Sequence, residues 1–199
     1  MLALPAPPPP VRRRQLLVGT AFAVAAGTMA IGGMLAVYMS EREAAGPGYG
    51  SSKKWLGAAK GAVINEVAAN TILITVVAAV VMMQWAVHAA NRGDRRHTAY
   101  GLGLAGVFGV AMLTAQARIW QDYGMIAKKG IYQTLTYAVT GTYAVFVASG
   151  VLVASAAAFR VLGGRTTAGD REVVAAAALW WYFLAAVTAA VWFFIYVVK

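Results

Sequence analysis

Residues 67–90 read VAANTILITVVAAVVMMQWAVHAA, and this stretch contains no Asp, Glu, Lys or Arg. A helix needs about 20 predominantly apolar residues to cross the hydrocarbon core of a bilayer. The stretch reaches that length, and its apolar residues run continuously instead of alternating as they do in a membrane β-strand. The sequence therefore predicts a transmembrane helix here, and this prediction decides the fold class.

Four further stretches of the chain meet the same criterion of length and apolar character. The seven acidic residues all fall between these stretches or at their ends, so no central part of a span carries an acid. We therefore expect an all-α protein, an integral membrane bundle of five transmembrane helices. The predicted spans are Leu16–Met39, Val67–Ala90, Ala99–Ala117, Leu135–Phe159 and Val173–Val198.

Composition supports a membrane protein independently of the spans. Of 199 residues, 60% are apolar and 12% are charged, whereas a soluble domain carries about a quarter charged residues. The absence of cysteine excludes disulfides, a thiol nucleophile and a Cys-ligated metal site. Basic residues beside hydrophobic spans usually mark topology and lipid head groups. The net charge of +10 therefore predicts no nucleic-acid partner.

The ends of the first span suggest how the chain is organised. Residues 1–15 contain five prolines followed by Arg12, Arg13 and Arg14, which predicts a Pro-rich basic arm before a membrane domain over residues 16–199. A signal peptide is the alternative, but its apolar region would be shorter. Basic residues number nine on one side of the membrane and eight on the other. The long first loop favours a cytoplasmic N-terminus and an outside C-terminus.

That first loop contains a second feature with two interpretations. Residues 46–52 are rich in glycine and serine, and the stretch Trp55–Ile64 that follows carries lysines beside apolar residues. It is typical of a short interfacial helix or of an ordinary basic connector.

The residues inside the spans give little support for chemistry carried out by this chain. Proton or ion pathways usually show an acid, lysine or histidine within a span, and the two histidines, His88 and His97, lie near one boundary. We expect His88 to be an interfacial residue beside Trp85. No phosphate loop, HExxH pair or nucleophile elbow is present. The sequence therefore predicts no catalytic centre in this chain and no metal site.

Neutral polar and small residues recur along the spans instead. Glycines let helices approach closely, and amides or hydroxyls form hydrogen bonds between helices. We interpret these residues mainly as helix-packing positions. Gln116 fits this interpretation least well, because a buried amide must place several donors and acceptors. The glycines are Gly27, Gly32, Gly33, Gly101, Gly103, Gly106, Gly109, Gly141 and Gly150.

Six short motifs occur in unbroken order along residues 16–198. Together they resemble subunit III of the haem-copper oxidases, in its compact bacterial form with five helices. The resemblance depends on their order and on their places in five spans, since each motif alone is weak. The motifs are the G-x-x-A-x-Y pattern of residues 33–38, Asn70-Thr71, the stretch from Gln84 to the Arg92-Gly93-Asp94 exit, Gln116-Ala117, Thr140-Gly141 and Trp181-Tyr182-Phe183.

The sequence also departs from this family at its characteristic polar positions. Gly27 lies near the place of an intramembrane glutamate, and Ile119 replaces a second glutamate. The family's histidines and aspartate are replaced as well. The resemblance assigns to these polar residues the binding of phospholipid head groups and an influence on proton uptake, so both roles are in doubt for this chain. The replacing residues are Tyr143, Phe146, Tyr182 and Ala185.

The resemblance implies a non-catalytic subunit of a respiratory terminal oxidase in a bacterial cytoplasmic membrane. Such a subunit contains no cofactor of its own apart from structural phospholipid; haem and copper lie in oxidase subunits I and II, its expected partners. We expect lipid or partner contacts at Asn70, Trp85, His88, Gln116, Trp181 and Tyr182. Arg92, Arg95 and Arg96 could bind anionic head groups or could serve topology alone.

Two other functions stay open from the sequence. A subunit III-like component of another respiratory complex, such as a nitric oxide reductase, would share the same resemblance. A stand-alone small membrane transporter belongs to a different class. It would be expected to show internal repeats and helices broken at mid-membrane, and the sequence shows no such repeat.

Overall fold

The computed structural model describes residues 14–45, 66–123, 130–164 and 170–198. Within these ranges the chain is helical and contains no strand. The Pro-rich arm and the stretch Trp55–Ile64 lie outside the described residues. The helices are α1 (Gln15–Ala44), α2 (Glu66–Asn91), α3 (Arg95–Tyr123), α4 (Ile131–Leu162) and α5 (Asp170–Val191), and α5 continues into a π-helical segment, Trp192–Val197.

The five helices confirm the predicted all-α membrane bundle. Each described helix is long and apolar enough to cross a membrane. The helices extend beyond the predicted spans, because backbone hydrogen bonding continues through the polar turns at their ends. The 30 residues of α1 measure about 45 Å, against about 30 Å for the hydrocarbon core. The predicted end at Val198 lies one residue after the π-helical segment.

Hydrogen bonds at both ends show that α1 and α5 run in the same direction. The carboxylate of Glu172, at the start of α5, accepts from the backbone N–H groups of Leu16 at 2.8 Å and Leu17 at 3.1 Å. At the other end, Arg42 donates to the carbonyl of Val198 at 2.8 Å. We call the end with Glu172 the proximal side and the end with Arg42 the distal side.

Four of the helices form a closed ring. Helix α2 packs against α3 and α5, and α4 packs against the same two helices. Helix α1 lies outside the ring against α5 and α4. Only one narrow stripe of α1 is buried, formed by Gly27, Ile31, Leu35 and Tyr38. The rest of α1 therefore faces outward.

Two glycines of α3 show why small residues occur in the spans. A Cβ atom at Gly101 would lie 2.9 Å from the backbone oxygen of Met82 in α2. At Gly109, a Cβ would lie 2.4 Å from Val151 in α4 and 2.9 Å from the ring of Trp181 in α5. Helix α3 thus approaches three neighbours through positions that lack a side chain.

Candidate functional site

A row of polar side chains joins α2 to α5 at the bundle surface. Trp192 donates from its indole Nε1 to Oδ1 of Asn70 at 2.8 Å. The hydroxyl of Tyr182 donates to the side-chain oxygen of Gln84. We call these four residues the polar seam. Asn70 and Gln84 are fourteen residues apart, about four turns of helix, so both lie on the α2 face that meets α5.

The polar seam is exposed. The side chains of Asn70, Gln84 and Tyr182 are all exposed on the outside of the bundle. Tyr182 is 39% exposed. An exposed amide within a membrane span is costly unless it is hydrogen-bonded. The seam therefore combines two functions of polar groups in membranes, fastening two helices and offering a hydrogen-bonding surface.

An apolar groove runs between α1 and α5. Its volume is about 450 Å³, and its walls include Gly32, Ala36 and Met39 of α1 and Phe183, Ala190 and Phe194 of α5. At Gly32, a Cβ would meet no atom within 4 Å, so the groove is open there. The α1 wall runs over twelve residues, from Thr28 to Met39, a rise of about 16 Å, roughly half the thickness of the hydrocarbon core.

A cation lies near the distal end of this groove. Arg42 follows Met39 by three residues, about one turn of helix. Its guanidinium donates to the Val198 carbonyl. The apolar groove therefore has a positively charged side chain near its distal end.

The three arginines that could bind anionic head groups, Arg92, Arg95 and Arg96, lie on the proximal side. All three are exposed. Arg95 donates from Nη2 to the carbonyls of Val161 at 3.2 Å and Leu162 at 3.1 Å, so its guanidinium caps the end of α4. This leaves Arg92 and Arg96 as the exposed arginines of the α2–α3 turn that make no such cap.

The α2–α3 turn also positions the two histidines. Gly93 has a φ of +78°, a conformation that favours glycine. The ring of Trp85 contacts the imidazole of His97, with centroids 5.7 Å apart. His88 is exposed in the last turn of α2. The chain reversal brings His97 back over Trp85.

Asp94 caps the start of α3. Its Oδ1 accepts from the backbone N–H of His97 at 3.1 Å, and its Oδ2 lies 2.5 Å from Nδ1 of the same residue. These bonds, first the one from the backbone N–H, hold the pKa of the Asp94 carboxyl below its ordinary value. The carboxylate thus stabilises the α3 N-terminus in its charged form.

Two of the predicted contact residues lie inside the bundle. Gln116 is 2% exposed and Trp181 is 0% exposed. Their contacts are therefore with the chain's own helices. The side-chain nitrogen of each, Nε2 of Gln116 and Nε1 of Trp181, is buried without a hydrogen-bond partner among the described residues. Asn70, Trp85, His88 and Tyr182, by contrast, are exposed.

Three contributors to these features were not predicted as site residues. Glu172 and Arg42 were noted only as charges near span ends, although each fastens α1 to α5. Gln84 was interpreted as a helix-packing residue and as the start of a family-like stretch. Its spacing from Asn70 was a signal that could have identified the seam, whereas the bonds of Glu172 and Arg42 are contacts between residues more than 150 positions apart.

Gly27, which lies near the place of a glutamate in the family that the sequence resembles, packs closely against α5. A Cβ at Gly27 would lie 2.7 Å from the ring of Phe183. That ring also packs against Phe146 and Trp180, with centroids 5.5 Å and 5.0 Å away. An aromatic cluster therefore occupies the space that a side chain at position 27 would need.

The fold and these surfaces define a multi-pass membrane protein whose polar groups fasten helices and line its outer faces. Among the described residues, no group of three or more His, Asp or Glu side chains could hold a metal ion. The family model for cytochrome c oxidase subunit III matches residues 17–199. The chain therefore belongs to the cytochrome c oxidase subunit III family. A comparison with curated proteins gives no match.

Proposed function

We propose that this chain is a non-catalytic subunit of a respiratory terminal oxidase that supports the stability of the catalytic subunits and holds phospholipid. The family match over residues 17–199 carries this proposal. In such a complex, haem and copper belong to subunits I and II, which reduce oxygen and move protons. The complex resides in a bacterial cytoplasmic membrane.

The polar seam supports a place for the partner subunit. Asn70, Gln84 and Tyr182 present polar atoms at the bundle surface within a membrane span, where a protein partner can satisfy amide donors better than lipid tails can. Trp85, which follows Gln84 on α2 and is 38% exposed, offers a further contact nearer the proximal end of that helix. We propose this α2–α5 face as the surface that packs on the catalytic subunit.

The apolar groove supports the lipid role. Its length of about 16 Å suits an acyl chain in one leaflet, and its lining is almost entirely apolar. Arg42 at the distal end offers a cation to a phosphate group. We propose that the groove takes one chain of a phospholipid whose head group lies beside Arg42.

The first experiment tests the complex. A tagged full-length copy is purified in mild detergent, and the eluate is analysed by mass spectrometry and by a reduced-minus-oxidised haem spectrum. We expect oxidase subunits I and II with an a-type haem signal. Co-purification with a nitric oxide reductase would move the chain to that complex. A colourless, solitary, intact protein would contradict the subunit function and favour a stand-alone transporter.

The second experiment tests the groove with neighbouring glycines. Gly32 lines the groove and Gly33 does not, yet neither has an atom within 4 Å of its Cβ position. Gly32→Leu should fill the groove and remove bound phospholipid, measured by native mass spectrometry of the purified protein. Gly33→Leu is the matched control and should retain it. Equal lipid retention in both variants would exclude the groove.

A further inference from the structure

A cluster of polar side chains lies inside the helix ring, away from the groove and the seam. It consists of Gln116 from α3, Tyr143 from α4, Thr188 from α5 and Tyr196 from the π-helical segment. Three are 2% exposed and Tyr196 is 7% exposed. We call these four residues the buried polar cluster. Gln116 lies seven residues before the end of α3, about 10 Å inside the distal end of that helix.

The hydroxyl groups of the cluster satisfy one another only in part. Thr188 has one hydroxyl proton and lies 2.7 Å from the carbonyl of Leu184 and 3.1 Å from the hydroxyl of Tyr143. If Thr188 donates to Leu184, Tyr143 can donate to Thr188 and keeps its own acceptor positions. The hydroxyl of Tyr196 donates to Oε1 of Gln116 at 3.5 Å, a long bond.

The amide nitrogen of Gln116 is the unmatched member. Nε2 carries two N–H donors, and no atom of the described residues accepts from either. Exchanging the amide oxygen and nitrogen would pair Nε2 with Tyr196 and leave the oxygen in its place. One amide atom therefore lacks a partner in either assignment. In a membrane interior such a group has no bulk water to compensate it.

We propose that the buried polar cluster binds an ordered water molecule that accepts a hydrogen bond from Nε2 of Gln116. Buried waters typically make about three hydrogen bonds to otherwise unsatisfied polar groups. In this arrangement the Tyr196 hydroxyl, which contacts the amide of Gln116, accepts one proton of the water, and the Tyr143 hydroxyl, which interacts electrostatically with that of Tyr196, accepts the other. The ligand is water, because the cluster offers neutral donors and acceptors and no charge.

This water joins helices that the direct bonds leave separate. The pair Tyr143–Thr188 connects α4 with α5, and the pair Tyr196–Gln116 connects the π-helical segment with α3. A bridging water merges the two pairs into one network across three helices. The inference does not depend on the identity of the partner complex, since all four residues lie within this chain.

The test uses brief X-ray radiolysis of the purified full-length protein in H₂¹⁸O, followed by mass spectrometry. Hydroxyl radicals formed at a bound water modify the side chains beside it. Tyr143 and Tyr196 should be labelled about tenfold faster than Met83, an intrinsically reactive side chain that is 0% exposed. Labelling of both tyrosines no faster than that of Met83 would overturn the proposal.

A variant pair locates the water. Gln116→Met retains the length of the side chain and removes the amide, so the labelling of Tyr143 and Tyr196 should fall to the level of Met83. Thr114→Val on the same helix is the control, because Thr114 is exposed and bonds to Val110 of α3; its labelling pattern should match the parent. Unchanged labelling in a folded Gln116→Met protein would contradict the site. If that variant does not fold, the parent comparison with Met83 decides.

Discussion

Trp192 and Asn70 are joined by a hydrogen bond of 2.8 Å from the indole Nε1 to the amide oxygen. This bond connects the π-helical end of the chain to the first turns of α2, on the distal side. A second bond, between Tyr182 and Gln84, lies nearer the proximal side. The two bonds of the polar seam therefore fix the antiparallel register of α2 and α5 at two points that lie fourteen residues apart on α2.

The Tyr182–Gln84 pair should show measurable coupling. In a double-mutant cycle with Tyr182→Phe and Gln84→Leu, we expect a coupling free energy of about 0.6 kcal/mol, with an upper limit near 1.7 kcal/mol. The free energy of unfolding would be measured by chemical denaturation in bicelles. Tyr100→Phe, at a tyrosine that is 61% exposed, serves as a control. Additive effects of the two substitutions would show that the bond contributes nothing.

Glu172 should govern the proximal end of α1. The first turn of a helix has free backbone N–H groups, and Glu172 accepts from two of them, those of Leu16 and Leu17. Glu172→Ala should raise the amide hydrogen exchange rates of these two residues about tenfold, corresponding to about 1.4 kcal/mol for the lost charged acceptor. Arg171→Gln, the adjacent exposed position, should leave both rates unchanged.

Gly101 and Gly103 form a matched pair on α3. Gly101→Ala places a Cβ 2.9 Å from backbone of α2, which cannot rotate away, so we expect a loss of about 1–3 kcal/mol in stability. Gly103 has no atom within 4 Å of its Cβ position. Gly103→Ala should be neutral or stabilising by about 0.5–1 kcal/mol. Thermal unfolding in detergent compares the two, and equal effects would contradict the close approach.

Arg95 and Arg96 should separate stability from head-group binding. Arg95→Gln removes the bonds to the Val161 and Leu162 carbonyls and should lower the free energy of unfolding by about 1 kcal/mol. Arg96→Gln should leave stability unchanged and weaken binding to vesicles that contain anionic lipid. Co-sedimentation with such vesicles measures the second effect. The reverse pattern would contradict the assignment of Arg95 as a helix cap.

The Asp94 cap should respond to acid in a defined direction. The pKa of its carboxyl is lowered from 3.8 in the folded state by the bonds from His97. A lowered folded-state pKa means that the stabilisation is complete above the unfolded value and is lost as pH falls through the folded pKa. Protection of the His97 amide, followed by NMR, should decline only below about pH 4. In Asp94→Ser, which caps without titrating, the protection should not depend on pH in this range.

The spans could be predicted from sequence because lipid solvation acts on each helix separately. A run such as residues 67–90 must hydrogen-bond its backbone internally whatever it packs against, so composition and length locate it. The helix ends were less predictable. Polar turns such as those after Met39 remain helical outside the hydrocarbon core, where hydropathy no longer distinguishes helix from loop.

The candidate surfaces could be predicted only in part. Asn70 and Tyr182 were expected as contact residues and lie in the exposed seam. Gln116 and Trp181 were expected beside them but are buried. Hydrophobic periodicity distinguishes poorly between the inside and the outside of a membrane bundle, because lipid and core are both apolar. The burial of a particular polar residue therefore depends on which helices surround it.

The amino-acid sequence by itself determined five membrane-crossing helices and membership in a recognisable family, since both follow from local composition and from motifs in order along the chain. Tertiary structure alone decided the groove beside α1, the fastening of α1 by Glu172 and Arg42, and the enclosure of Gln116 within the ring. These features depend on side chains that are distant in sequence. They also depend on glycines such as Gly27 and Gly101, which lack a side chain and so allow a neighbouring helix to approach closely. Helix packing depends on the surfaces of two or more helices together, so it cannot be predicted from the sequence of any one span.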